Sequence, residues 1–130
     1  MNKEFQTPPL GELEIQVLEL LWIKSDMTAK EVHAELSHQN KKSVNTVQSA
    51  MERLYRKSLL NRIKSSHSYR YSAAVLKEDL LGHLINDLVG RFQADSHSSV
   101  AAIINAAERI DEQALEVLEA EIRKRKEESQ

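Results

Sequence analysis

Asn45, Ser49, Glu52, Arg53 and Arg56 recur at helical spacing and so share one face, with Thr46 at its rim and Ser43 placed to cap the helix. The N-terminal half of that face carries short hydrogen-bonding groups, and the C-terminal half carries guanidinium groups. A helix entering the major groove of DNA needs both. Short side chains let the backbone approach the base edges, and arginines reach guanine or phosphate. Arg53 could read a guanine, clamp a phosphate or join a surface ion pair. Its sharing of a face with Ser49 and Asn45 favours a DNA contact. Thr46 either bonds a phosphate beside the free N–H groups of the helix start or only packs.

A second group follows in the chain. Leu59, Asn61 and Ile63 alternate with Leu60, Arg62 and Lys64; beyond Ser65-Ser66-His67-Ser68, Tyr69, Tyr71 and Ala73 alternate with Arg70 and Ser72. This aromatic, period-two pattern predicts a β-hairpin. One parity is expected to hold Arg62, Lys64 and Arg70, giving the hairpin a basic face for phosphates. The turn has no Gly, which predicts something longer than a tight two-residue turn. Residues 41–75 hold eight Lys or Arg against one acid, Glu52, while the 130-residue chain has a net charge of −2. A positive block in an acidic protein fits a polyanion-binding face. Charge alone would fit a solvated basic surface equally.

The elements that position these groups are legible from apolar spacing. Leu13, Val17, Leu20 and Leu21, widened by Ile15, Leu18 and Trp22, predict a helix from Leu10 or Gly11 to about Lys24, with Trp22 in the core. Thr28 and Glu31 form a capping-box pattern that opens a short helix with Ala29, Val32 and Leu36 inward. Ser43 opens the third, over roughly 44–57, with Val44, Val47, Met51 and Leu54 inward. Three helices followed by a basic hairpin are the winged helix-turn-helix arrangement, with the third helix as reader and the hairpin as wing. The fold class expected is therefore mainly α with a small β-hairpin wing. Residues 1–9, ending in Pro8-Pro9, read as a flexible arm, 10–75 as the winged helix-turn-helix domain and 76–130 as a helical dimerisation domain. In the tail, Asp111 is expected to cap the last helix, and Arg123-Lys124-Arg125-Lys126 suit its C-terminus on dipole grounds. Short helices with little aromatic content would make a poor lone core, so a second copy is the simplest partner. Leu84, Leu88, Ile103, Leu115, Leu118 and Ile122 are the expected dimer contacts.

Composition bounds the alternatives. Hydrophobic residues at 41% and charged residues at 29% describe a globular chain, and the absence of Cys removes disulfides, thiolate ligands and thiol nucleophiles. No apolar run is long enough for a membrane span, and the N-terminus lacks a signal pattern, so a cytoplasmic location is expected. An enzyme is not expected: there is no Gly-rich phosphate loop, no HExxH and no G-x-S-x-G around any Ser. No metal or other cofactor is expected. His33 and His38 lie five apart on different faces, while His83 with Asp87, or His97 with Asp95, supplies too few ligands. The competing reading is a winged-helix module that binds another protein without specific DNA binding. The concentration of charge on reader and wing argues against it.

Leu10-Gly11-Glu12-Leu13-Glu14, Val17-Leu18 and Leu21-Trp22 resemble the opening helix of the penicillinase-repressor family (BlaI/MecI/CopY). Thr46-Val47-Gln48-Ser49, Arg53-Leu54, Lys57 and Leu60 resemble its recognition helix, and Tyr69-Arg70-Tyr71 its second wing strand. The resemblance implies a homodimeric repressor on a palindromic double-stranded operator, with Ser43, Asn45, Thr46, Ser49 and Arg53 facing DNA. Arg56, Arg62, Lys64, His67 and Arg70 complete the expected DNA-binding set. The family's regulated scission by a membrane-bound metalloprotease sensor falls at an Asn–Phe bond in its best-known members. The nearest match is Asn105-Ala106, where Ala106 replaces the Phe. Ser58 stands where the family often has a helix-ending Gly, and Ser66 and His67 replace a Gly-Arg wing tip.

Overall fold

Local capping starts each of the first three helices. In α1 (Glu12–Ile23), Glu14 reaches back to accept from the Gly11 N–H at 3.1 Å. In α2 (Ala29–Leu36) both halves of the capping box form: Thr28 Oγ1 accepts from the Glu31 N–H at 3.2 Å, and Glu31 accepts from the Thr28 N–H at 2.8 Å. In α3 (Val44–Arg56) the cap is Ser43, whose Oγ accepts from the Thr46 N–H at 3.1 Å. The computed structural model describes residues 10–39 and 41–129, so the expected arm at 1–9 lies outside the described residues.

The exit from α3 is set by one strained residue. Ser58 takes φ 65°, the left-handed region that a side chain disfavours. There its N–H donates to Tyr55 O at 3.0 Å, and the Leu59 N–H donates to Leu54 O at 2.9 Å. This pair of bonds is the Schellman arrangement, and buried Leu54 and Leu59 supply its apolar contact. The chain is thereby turned directly into the hairpin.

β1 (Leu60–Ser65) and β2 (Ser68–Ala73) pair antiparallel, with Arg62 opposite Tyr71, Ile63 opposite Arg70 and Lys64 opposite Tyr69. The turn is a two-residue one, Ser66-His67, against the expectation of a longer loop. Ser66 supplies the positive φ, 57°, that Gly usually supplies at the first central position. The short turn also corrects the expected basic face. Residues directly opposite each other share a face, so Arg62 and Lys64 stand with Tyr69 and Tyr71, while Arg70 stands on the other side with Ile63. Met27, just before α2, adds one further rung: its N–H donates to Tyr71 O at 3.0 Å, and the Tyr71 N–H donates back at 2.8 Å.

The apolar stripes meet in one core. Val17, Leu18 and Leu21 of α1, Val32 and Leu36 of α2, and Val47, Met51 and Leu54 of α3 pack with Leu59, Leu60 and Tyr71. Each fully buried aliphatic side chain contributes about 1.5–3 kcal/mol over exposure. Trp22 packs at the edge of this core, and its indole Nε1 donates to Val75 O at 2.9 Å. Leu80, on α4 (Lys77–Arg91), is buried in the same core, and Leu84 packs against it. The first compact unit accordingly runs to Asp87, and the second begins at Leu88, inside α4. The expected boundary at 75/76 precedes that division because the first half of α4 closes the winged-helix core.

The second unit contains α5 (Ser96–Ile110) and α6 (Ala114–Glu128), which pack against each other. Asp95 caps α5 through a 2.7 Å bond from the Ser98 N–H. Asp111 does not cap α6 as expected. It ends α5, and its Oδ1 accepts from the Gln113 N–H at 2.9 Å, so the cap position of α6 falls two residues later, at Gln113.

Candidate nucleic-acid interface

The outward face of α3 follows from the inward one. With Val47, Ala50, Met51 and Leu54 buried, Asn45, Gln48, Ser49, Glu52, Arg53 and Arg56 are left to line an open depression on the protein surface. Gln48 was missing from the expected site. Its spacing, three after Asn45 and four before Glu52, is the signal that would have found it. At the helix start, Ser43 Oγ and Thr46 Oγ1 lie 2.9 Å apart. The N–H groups of Val44 and Asn45 precede the first intrahelical bond, Val47 N–H to Ser43 O, as an anion-facing helix end requires.

The basic side chains differ in how far they are already engaged. Among the described residues the Arg53 guanidinium forms no hydrogen bond or ion pair, although its charge acts on Glu14. Arg56 Nε pairs with Glu52 Oε2 at 3.3 Å. Arg62 Nη1 pairs with Glu52 Oε1, and the guanidinium carbon lies 3.9 Å from the Tyr55 ring centroid and 4.1 Å from that of Tyr69. Burial works to lower the Arg62 pKa, but the hydrogen bonds that Arg62 donates to Tyr71 and Glu52 and the charge of Glu52 outweigh it and hold the value up. Arg70 donates through Nη2 to Asp26 O at 2.7 Å and pairs with the Asp26 and Glu31 carboxylates, each at 3.3 Å. Two of the expected phosphate ligands, Arg62 and Arg70, therefore hold the wing to the helices. Lys64 and His67 remain exposed on the hairpin, with Lys64 Nζ 5.9 Å from the Tyr69 ring.

A buried charge fixes the reader helix from behind. Glu14 is 6% exposed, and Lys57, just past α3, donates to its Oε2 at 2.7 Å. Burial alone would raise the Glu14 pKa. The Lys57 hydrogen bond, the Gly11 N–H and the charges of Lys57 and Arg53 more than reverse that, leaving the carboxyl below its ordinary range.

The sequence pattern that defines the penicillinase repressor family matches residues 10–124. The chain belongs to the penicillinase repressor family. It is 30% identical over 102 residues to the transcriptional regulator BlaI of Mycobacterium tuberculosis, covering 78% of this chain and 73% of that protein. It is 28% identical over 79 residues to the penicillinase repressor of Staphylococcus aureus, covering 61% of this chain and 60% of that one. The solution structure of the DNA-binding domain of the repressor BlaI superposes with a TM-score of 0.50 at 29% identity, over 55% of this chain and 88% of that domain. The chain is thus a winged-helix transcriptional regulator of the repressor type.

The remaining expected site residues lie in or near the tail. Asn105 and Ala106 are exposed within α5, in continuous helix. Leu88, Ile103, Leu115 and Ile122 are exposed, Leu118 is half-buried and Leu84 is half-buried against the winged-helix core. No cluster of three or more His, Cys, Asp or Glu among the described residues could hold a metal, and no helix among them is long and apolar enough to cross a membrane.

Proposed function

We propose that two copies of this chain bind a palindromic double-stranded operator in the cytoplasm and repress transcription. The observation that carries the reading is the outward face of α3, where Asn45, Gln48 and Ser49 lie exposed beside the unpaired Arg53 on a helix locked in a closed core. Asn45, Gln48, Ser49 and Arg53 read base edges. Ser43, Thr46 and the first N–H groups of α3 take a phosphate, while Lys64 and His67 take others and Arg56 stays beside them, paired with Glu52. Arg62 and Arg70 contribute by holding the wing. The apolar side chains that α4–α6 leave exposed, Leu88 at 56% and Ile103 at 42% among them, join Leu115, Leu118 and Ile122 in the dimer contact. Scission at Asn105–Ala106 by a membrane-bound metalloprotease would require α5 to open locally first, since both residues stand in the helix.

Selection of duplexes from a random DNA pool by the purified protein, with the mass of the complex recorded, tests this reading. It expects an enriched palindrome with half-sites about one helical turn apart, bound by two chains. No enrichment, with residual DNA binding that vanishes at moderate salt, would instead favour a protein-binding winged helix, because nonspecific phosphate contacts lose affinity steeply as salt rises.

A further inference from the structure

Residues 41–75 contain one acid, and it stands on the face just assigned to DNA. A carboxylate on that face repels every phosphate that approaches it. It is also fully used: one oxygen pairs with Arg56 of the reader helix and the other with Arg62 of the wing. Arg62 is further held between the Tyr55 ring of α3 and the Tyr69 ring of β2. Reader and wing are thus joined through a single carboxylate. The side chain of Glu52 is only 32% exposed and that of Arg62 20%, whereas that of Arg56 is 76% exposed. The Arg56 pairing is the one that an approaching phosphate could readily exchange.

We infer that Glu52 is a specificity-determining positioning residue, which restrains Arg56 and Arg62 so that neither is freely available to phosphates of DNA in the wrong register. It rests on the DNA-binding reading above. On nonspecific DNA, Arg56 must leave Glu52 to reach a phosphate, and the carboxylate left behind faces the polyanion. In the correct register the base contacts of Asn45, Gln48, Ser49 and Arg53 hold the duplex while Arg56 stays paired with Glu52, so that cost is not incurred. Affinity for arbitrary sequence is therefore lowered more than affinity for the operator, and discrimination by difference rises.

The test compares Glu52→Gln with the wild-type full chain on a random-sequence duplex of fixed length, titrated with salt. Glu52→Gln should bind that duplex roughly three- to tenfold more tightly at low salt, with the plot of log affinity against log salt steeper by about one. The same variant should enrich a less defined sequence from a random pool. The double variant Glu52→Gln/Arg62→Gln removes one charge of each sign. It leaves no unpaired charge at the wing should the single variant fail to fold. Because its net charge equals that of the wild type, a steeper slope in the double variant shows release of Arg56 rather than a change in overall charge. Unchanged or weaker binding to the random duplex by a folded variant would overturn the inference and leave Glu52 as a wing strut. A wild-type protein that binds no DNA at all would instead sink the underlying DNA-binding reading.

Discussion

In the first unit Val17, Val47, Met51 and Leu54 are shut off from solvent, whereas no described apolar side chain of the second is more than half-buried, Ile104 and Leu118 included. Both regions show the apolar spacing of helices. The difference lies in what covers the stripe. Helices α1–α3 converge on one another and on the hairpin, while α5 and α6 pack on each other, and a pair of helices alone does not enclose a side chain. Helix α4 displays both situations, with Leu80 buried and Leu88 exposed. Periodicity identifies an apolar face, but it does not say whether the covering surface belongs to the same chain.

The largest effect expected from this contrast is in the closed core. Leu54→Ala should lose about 2–5 kcal/mol in denaturant unfolding, equally at every protein concentration, because the lost contacts are all internal. Leu118→Ala should instead abolish the concentration dependence of the melting temperature that the proposed dimer would give the wild type. If both variants behaved alike at all concentrations, the contrast between a self-sufficient and an incomplete unit would be broken.

The next effect sharpens the first unit. Lys57→Met leaves Glu14 buried without its cation and should cost about 2–4 kcal/mol at neutral pH. The pH dependence has a definite sign. The folded Glu14 pKa lies below its ordinary value of 4.5, so its stabilisation is complete above that value and is lost as pH falls through the depressed folded value. Stability curves from pH 7 to pH 2 should therefore fall less steeply for Glu14→Gln than for the wild type. Equal slopes would show that the Glu14 carboxyl has the same pKa folded and unfolded.

Reader and wing can be separated by a smaller effect. Arg53→Ala should weaken operator binding by about 1–3 kcal/mol and relax preference at one position in each half-site. Lys64→Ala should lower affinity on all sequences and reduce the salt slope by about one. Identical, sequence-independent losses for the two would demote Arg53 to a backbone contact.

How much of this was legible in the sequence depended on the range of the interactions. The caps at Thr28 and Ser43 and, apart from Gln48 and Ala50, both faces of α3 follow from spacing within a few residues and stand as expected. The face of Arg70 depended on the length of the turn. A loop of three residues would have placed Arg70 beside Arg62 and Lys64, but two residues reverse the parity of the second strand. The length of the turn and the face of Arg70 are thus one feature, set by Ser66 taking the positive φ without being Gly. The engagement of Arg62 by Glu52, Tyr55 and Tyr69 depends on the docking of the hairpin against α3, and no local pattern reveals it. Leu80 is similar: its helical spacing is plain, but its place in the winged-helix core is set by tertiary packing.

Among the described residues the first unit holds three in backbone conformations that glycine would adopt more easily, Asp26, Ser58 and Ser66. A side chain in the left-handed region costs about 1–2 kcal/mol relative to the right-handed one. Glycine removes that strain but gives back part of it through the greater freedom of the unfolded chain. Ser58→Gly should therefore stabilise the protein by about 0.5–1 kcal/mol, seen as a melting temperature raised by a few degrees. The Schellman bonds from Ser58 and Leu59 are made by main-chain N–H groups and survive the change. Leu59→Ala should be destabilising, because it removes a buried side chain from the contact with Leu54 that accompanies those bonds. A Ser58→Gly protein less stable than the wild type would mean that the Ser58 side chain contributes more in place than its backbone strain costs.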